Sequence, residues 1–454
     1  MILLKNYLKF YTSISFLIPY IANQNFKRNL SFGMELLNIS YIKYKLDNGL
    51  EVILHQRKSA PLVSVNLWYK VGSANEVKGK TGLAHLFEHM MFQGSENVAK
   101  EMHFRYIQEA GGTLNGSTSF DRTNYFEKLP ANSLDLALWL ESDRMGFFLN
   151  ALTEEKLNNQ KDVVYNERLE RYDNQPYGLA WEFIVKNLYP ELHPYSWPTI
   201  GFPDDIKSYL LTDVKSFFQK FYSPGNSTLV IAGDFETEAA KKSVEKYFGE
   251  ITGGNGYYNP KIPDDFLLNS NKLIEHPDQV QLERIYLTFP TCKVFDKNDA
   301  PLEILSDILT GSKGSRLHKK LVIEEELAQD VSAFQFSGKY GGHFMIAATA
   351  KPGVKTEQIK NIILNEIESI AEKGVTTKEL ARSKNSISSH FVFGLQNLDS
   401  LADQMNLYNF YLNEPNSFTF DLKRYLSVDE LQVQNVCKKY LTKPHLELII
   451  FPKK

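Results

Sequence analysis

Between residues 41 and 56 apolar and polar side chains alternate on both sides of Asp47-Asn48-Gly49, the pattern of two strands joined by a tight turn. PLVSVNLWYKVGS (61–73) predicts a further strand. Helical spacing then runs over 82–93 and 102–110, a strand lies within TLNGSTSFDRTNYFEKLP (113–130), and helices cover about 132–148 and 153–172. A helix at 213–222, the strand STLVIAGDF (227–235) and a helix at 236–251 complete the first half. Strands mixed with paired helices indicate α+β layers rather than strict βαβ winding. TGGNGYYNPKIPDD (252–265) has the composition of a linker.

The pattern then recurs. VKSFFQKFYSPGNSTLVIAGDF (214–235) is echoed by VQNVCKKYLTKPHLELIIFPKK (433–454) at an offset of about 219 residues. Each is a helix ending in a basic-aromatic step, a proline turn and an apolar strand. The expected organisation is two homologous, duplicated α/β-layer domains of about 200–220 residues, at 38–252 and 266–454, with a linker at 253–265.

Composition adds limits. A chain of 454 residues exceeds one ordinary core. Its 43% hydrophobic content, 23% charged content and net charge of −3 fit a soluble globular protein and leave no electrostatic footprint for nucleic acid. Cys292 and Cys437 are the two cysteines, too few for a thiolate zinc cluster, so a metal would be held by histidine and carboxylate. Residues 1–37 form a leader or signal-like segment: Lys5 and Lys9 precede an apolar run from Phe10 to Ala22. That run lacks a small-x-small cleavage site and is too short for a stable membrane span, and Met34 offers a second start. Cytoplasmic and periplasmic locations both stay open.

The chemistry concentrates in TGLAHLFEHMMFQGSEN (81–97), where His85, Glu88 and His89 are spaced H-x-x-E-H. Positions i, i+3 and i+4 of a helix share one face, so the three side chains project together. Two imidazoles one turn apart can grip one Zn²⁺, and the carboxylate between them can take a proton from water. A polar helix face can carry the same residues with no metal, but Leu83, Leu86, Phe87, Met90 and Met91 surround them with apolar groups. Catalytic zinc needs a third protein ligand, and TEEKLNNQKDVVYNERLERYDNQPYG (153–178) offers Glu167 and Glu170 one turn apart. The residues alone do not choose between them. Under the 219-residue offset the motif meets Ile304, Asp307 and Ile308, so the second copy has no such site.

GLAHLFEHMMFQGSEN, GGTLNGSTSFDRTNYFEKLP and VVYNERLERYDNQPYG, in that order, with GSRLHKKLVIEEELAQDVSA (314–333) further on, closely resemble the M16 (pitrilysin/insulinase) metallopeptidases, the inverzincins. The likeness covers roughly residues 40–454 and is to the short bacterial and mitochondrial-processing-peptidase-like branch. It implies the LuxS/MPP-like metallohydrolase fold and a zinc endopeptidase acting on unfolded or short peptides. It also implies His85, His89 and Glu167 as zinc ligands and Glu88 as general base. A peptide would add as a strand along Asn115, Gly116 and Ser117, Gln160 would stand behind the ligands, and Glu170 would stand behind them or pair at the surface.

Two departures matter. Gln160 occupies a position where some members carry an accessory glutamate, a change of tuning. Val322 and Gln329 fall where larger relatives place an Arg and a Tyr on the substrate carbonyl, and nearby Arg316 fits a structural role better. The missing pair implies a partner: a heterodimer with a related chain lacking H-x-x-E-H, with a homodimer as runner-up. A non-catalytic binding or assembly subunit is the rival reading, disfavoured by the intact motif. His103 is expected on the surface, His193 in the scaffold, and Glu324–Glu326 on a solvated helix face.

Overall fold

The structure is a computed structural model that describes residues 37–254, 260, 262 and 266–453. The leader predicted over 1–37 lies outside the described residues, Leu37 apart, as does much of the predicted linker.

The turn at Asp47-Asn48-Gly49 forms as its sequence requires. Gly49 has φ +95°, a conformation that an L side chain strains to adopt, and its N–H donates to Leu46 O at 2.9 Å. It joins β1 (Ile42–Lys45) to β2 (Glu51–Gln56). β3 (Leu62–Tyr69), β4 (Thr113–Thr118), β5 (Thr123–Pro130) and β6 (Ser227–Gly233) complete a six-stranded sheet in the order β1-β2-β6-β3-β5-β4. Residues 113–130, expected as one strand, are therefore a hairpin. Ser119 causes the break: its main chain pairs with Arg122 O at 2.9 Å, and its hydroxyl accepts from the N–H groups of Asp121 and Arg122. β4 becomes the edge of the sheet.

The second sheet comprises β7 (Lys272–Asp278), β8 (Arg284–Thr291), β9 (Ala328–Gly338), β10 (Gly341–Ala350) and β11 (Leu446–Pro452), in the order β7-β11-β8-β10-β9. It repeats the first sheet strand for strand, except for β1. The one parallel pair is β2–β6 in the first and β7–β11 in the second, and every other pairing is antiparallel. The duplication read from the sequence is present in the topology.

Five helices form the site, its second-half counterpart and the packing between the halves. In the first half these are α1 (Leu83–Met90), α2 (Glu154–Arg168) and α3 (Ala180–Leu188). In the second they are α4 (Asp299–Thr310) and α5 (Leu398–Leu412). The halves exchange cover. Leu401, Ala402, Met405 and Tyr408 of α5 pack on Ile53, Val230 and Ala232 of the first sheet. Ala180, Ile184, Val185 and Leu188 of α3 pack on Tyr286, Leu446, Leu448 and Ile450 of the second. Each fully buried large apolar side chain contributes roughly 1.5–3 kcal/mol, and these contacts cover one face of each sheet with the other half's helix. Polar contacts fix the register: Trp68 Nε1 donates to Asp403 Oδ1 at 2.9 Å and Asn406 Nδ2 to Asn66 O at 3.0 Å.

One surface expectation fails and another holds only in its exposure. His103 is fully buried, and burial beside the Arg144 guanidinium pushes its imidazole down to about 4. Its helix, Met102–Glu109, turns that face inward with Ile107. Glu324–Glu326 are exposed but end a helical turn, and Glu326 has φ +53°, so they do not form a helix face. Among the described residues no helix is long and apolar enough to cross a membrane.

Candidate active site

α1 is short, and its start is held from outside. Both oxygens of the buried Glu76 carboxylate accept main-chain N–H groups, from Gly82 and Ala84, each at 2.8 Å. Asp205 accepts from Thr81 N at 3.0 Å and Thr81 Oγ1 at 2.6 Å. The first two bonds satisfy main-chain donors that a helix start otherwise leaves unpaired, and the Asp205 pair fixes the residue just before the N-cap Gly82. Leu83, Ala84, Leu86, Phe87 and Met90 face the core, with the Phe87 ring stacked 4.7 Å from Tyr222. His85, Glu88 and His89 are left on the opposite stripe, partly open to a cleft of about 440 Å³.

α2 crosses α1 and brings in the third donor from its last turn. Glu167 Oε2 lies 3.1 Å from His89 Nε2 and 3.8 Å from His85 Nε2. Ligands bonded to zinc at about 2.0–2.1 Å in a tetrahedron stand about 3.3 Å apart, so the spacing fits one Zn²⁺. Among the described residues this is the one group of three or more His, Cys, Asp or Glu whose donor atoms all come within 4.8 Å of one another.

The electrostatics suit a cation. Burial, then the neighbouring His89, pushes the His85 imidazole down to about 4, leaving it neutral, the form that ligates metals. Burial pushes the Glu167 carboxyl up, but the hydrogen bond from His89 and the electrostatic pull of the neighbouring imidazoles and the Arg171 guanidinium outweigh it and hold it below its ordinary value. Glu88 is raised, chiefly by burial, with the Thr118 hydrogen bond opposing.

Three neighbours of the site escaped sequence reasoning. Thr118 Oγ1 donates to Glu88 Oε2 at 2.6 Å. Arg171 pairs with Glu167 Oε1 at 2.9 Å, a contact signalled by their i, i+4 spacing. Glu76 carried no local signal, because its partners lie six and eight positions away across a loop.

The remaining expectations divide. Asn115, Gly116 and Ser117 line the cleft on β4. Gln160 and Glu170 do not. Gln160 is buried along α2 with its amide on Asn159 Oδ1 at 2.9 Å, and Glu170 is exposed on the wider turn Leu169–Asp173 that follows the helix. Gln160 stands two turns before Glu167 on the same helix face, within the buried stripe Leu157, Gln160, Val164 and Arg168, whereas the turn widens before Glu170 and leaves it at the surface, the second of the two places expected for it. In the second half Ile304 and Ile308 are fully buried, so α4 shows an apolar stripe where α1 shows donors. Arg316 is bonded to both Glu379 oxygens at 2.7 and 2.9 Å, and Val322 packs on the second core. His193 lies in an aromatic cluster, accepting from Tyr195 N at 3.1 Å.

Comparison with known proteins places this arrangement among relatives. The family profile "Insulinase (Peptidase family M16)" matches residues 51–193 and "Peptidase M16 inactive domain" matches residues 210–387. The zinc protease PqqE of Helicobacter pylori is 30% identical over 87% of the chain and 89% of its own length. An Arabidopsis thaliana protein named "Probable mitochondrial-processing peptidase subunit beta" is 24% identical over 87% of the chain and 75% of its own. A crystal structure of a protease from Helicobacter pylori superposes with a TM-score of 0.86 at 27% identity, covering 91% of the chain and all of that protein.

Proposed function

The chain belongs to the M16, insulinase-type peptidase family, and we propose that it is a zinc-dependent endopeptidase acting on unfolded or short peptides. The observation that carries this is the convergence of His85, His89 and Glu167 beside Glu88, in a cleft walled by an edge strand. Relatives named zinc proteases support the choice of metal.

His85 Nε2, His89 Nε2 and Glu167 Oε2 would hold the ion, with Arg171 steadying Glu167. Zinc there would supply a Lewis acid that polarises the peptide carbonyl and makes water a usable nucleophile near neutral pH. Glu88 takes the proton that the attacking water loses and returns it to the departing amine nitrogen. The free edge of β4 binds the peptide as an added strand through main-chain bonds. The half carrying this chemistry would be residues 38–252, with 266–454 as its metal-free counterpart.

The described wall of the metal cleft comes entirely from residues 85–200, in the first half. A second chain is therefore proposed to close it: a related subunit lacking H-x-x-E-H, or, as the lesser alternative, a second copy. Likeness to a protein named as a peptidase subunit supports this reading. Peptidase activity from a monodisperse homodimer would sink the heterodimer. A non-catalytic subunit has no need of the intact donor set. Glu88→Gln tests the enzyme reading: the variant keeps zinc and cleaves no unstructured peptide, and turnover at the wild-type rate would remove Glu88 from its role.

A further inference from the structure

β4 is engaged on two sides. Within the described residues it pairs with β5 alone. Ser119 N donates to Arg122 O at 2.9 Å beside the turn, and the alternation of an antiparallel ladder then directs the main-chain groups of Leu114, Gly116 and Thr118 to the free edge. Gly116 N agrees with this, since it is capped at 2.9 Å by the Asn115 side chain and not by β5. The side chains of the same residues face α1. Thr118 Oγ1 donates to Glu88 Oε2 at 2.6 Å, and a Cβ at Gly116 would stand 3.1 Å from Glu88 Cγ. No hydrogen bond reaches Glu88 Oε1 among the described residues, so that oxygen stays available to the cleft.

We propose that Thr118 is a positioning residue that registers the general base against the bound peptide. Its main chain pairs with the substrate strand while its hydroxyl fixes the carboxylate of Glu88, so one residue is the common reference for both. This rests on the peptidase reading above. A glutamate has three freely turning side-chain bonds, and without its anchor the carboxylate leaves the place where Oε1 meets the attacking water. A displacement of about 1 Å in a reacting group can cost roughly 100-fold in rate. Gly116 serves the same arrangement by leaving room for the Glu88 stem.

Wild type, Thr118→Val and Thr118→Ser, all zinc-loaded full chains, are compared on one fluorogenic peptide and by crystallography. Thr118→Val keeps the shape and loses the hydroxyl: kcat falls about 10- to 100-fold, KM stays within about twofold, and zinc content is unchanged. Thr118→Ser restores kcat to within about threefold of wild type. Crystals of Thr118→Val show the Glu88 carboxylate displaced. Wild-type kcat in Thr118→Val, or Thr118→Ser as slow as Thr118→Val, overturns the assignment. If the wild type cleaves no peptide either alone or with the related subunit proposed above, the peptidase reading has failed at that step. Glu88's position then decides on its own, and an unmoved carboxylate in Thr118→Val overturns the role of Thr118.

Discussion

Replacing Glu76 by alanine should loosen the metal-binding helix from its first turn. The Glu76 carboxylate is buried and accepts the N–H groups of Gly82 and Ala84 at 2.8 Å each, one residue short of His85. Alanine leaves both donors buried without acceptors, at about 1–3 kcal/mol apiece. Relief of the buried carboxyl group's own desolvation offsets part of this, so the net loss is about 1–4 kcal/mol. Glu76→Gln keeps one acceptor oxygen and should lose about half as much. At this chain length 1 kcal/mol corresponds to roughly 1 °C in Tm, so urea unfolding resolves the effect better than heating. Because the frayed turn carries His85, zinc affinity measured by chelator competition should fall about 10- to 100-fold, as it does when groups supporting a ligand are removed. Glu76→Ala with wild-type unfolding and wild-type zinc affinity would refute the claim that the carboxylate holds α1 in place.

Two further outcomes follow from burial and packing. His343 is fully buried with Nδ1 2.9 Å from Tyr189 Oη, and burial pushes its imidazole down to about 3. The folded ring stays neutral while the unfolded ring gains a proton below its ordinary value near 6.5, so stability is lost as pH falls through that range. Between pH 7 and 5 wild type should lose about 2 kcal/mol more than His343→Phe in urea unfolding, and equal losses would contradict a neutral buried ring. Because α3 and α5 each cover the other half's sheet, residues 38–252 expressed alone should fail to fold cooperatively and should recover on co-expression with 266–454. A cooperative, monomeric isolated half would show the exchange to be dispensable.

Much of this was legible because it is periodic. Alternation marks β2, short apolar runs mark β3 and β6, and 3.6-residue spacing puts His85, Glu88 and His89 on one stripe. Likewise, repeat matching found the second sheet, whose α4 has isoleucines in place of histidines. What stayed hidden depends on approach through space. Glu167 and Glu170 were equivalent as residues one turn apart, and the widening of the backbone after Arg168 separates them. The hairpin at 119–122 was missed because its turn uses a serine hydroxyl in place of Gly or Pro. The Thr118–Glu88 bond joins residues 30 positions apart, and no local pattern encodes it. The exchange of α3 and α5 concerns which sheet a helix covers, while the pattern reports only that one face is apolar.

Metal stoichiometry is the most direct measurement of the central claim, that three first-half side chains hold one catalytic zinc. The purified full chain, stripped and reloaded, is assayed by elemental analysis beside Glu88→Gln and His85→Ala. The account predicts about one zinc per chain for wild type and Glu88→Gln, and less than about a tenth for His85→Ala. Zinc retained at wild-type level in His85→Ala, or absent from the wild type, would contradict it.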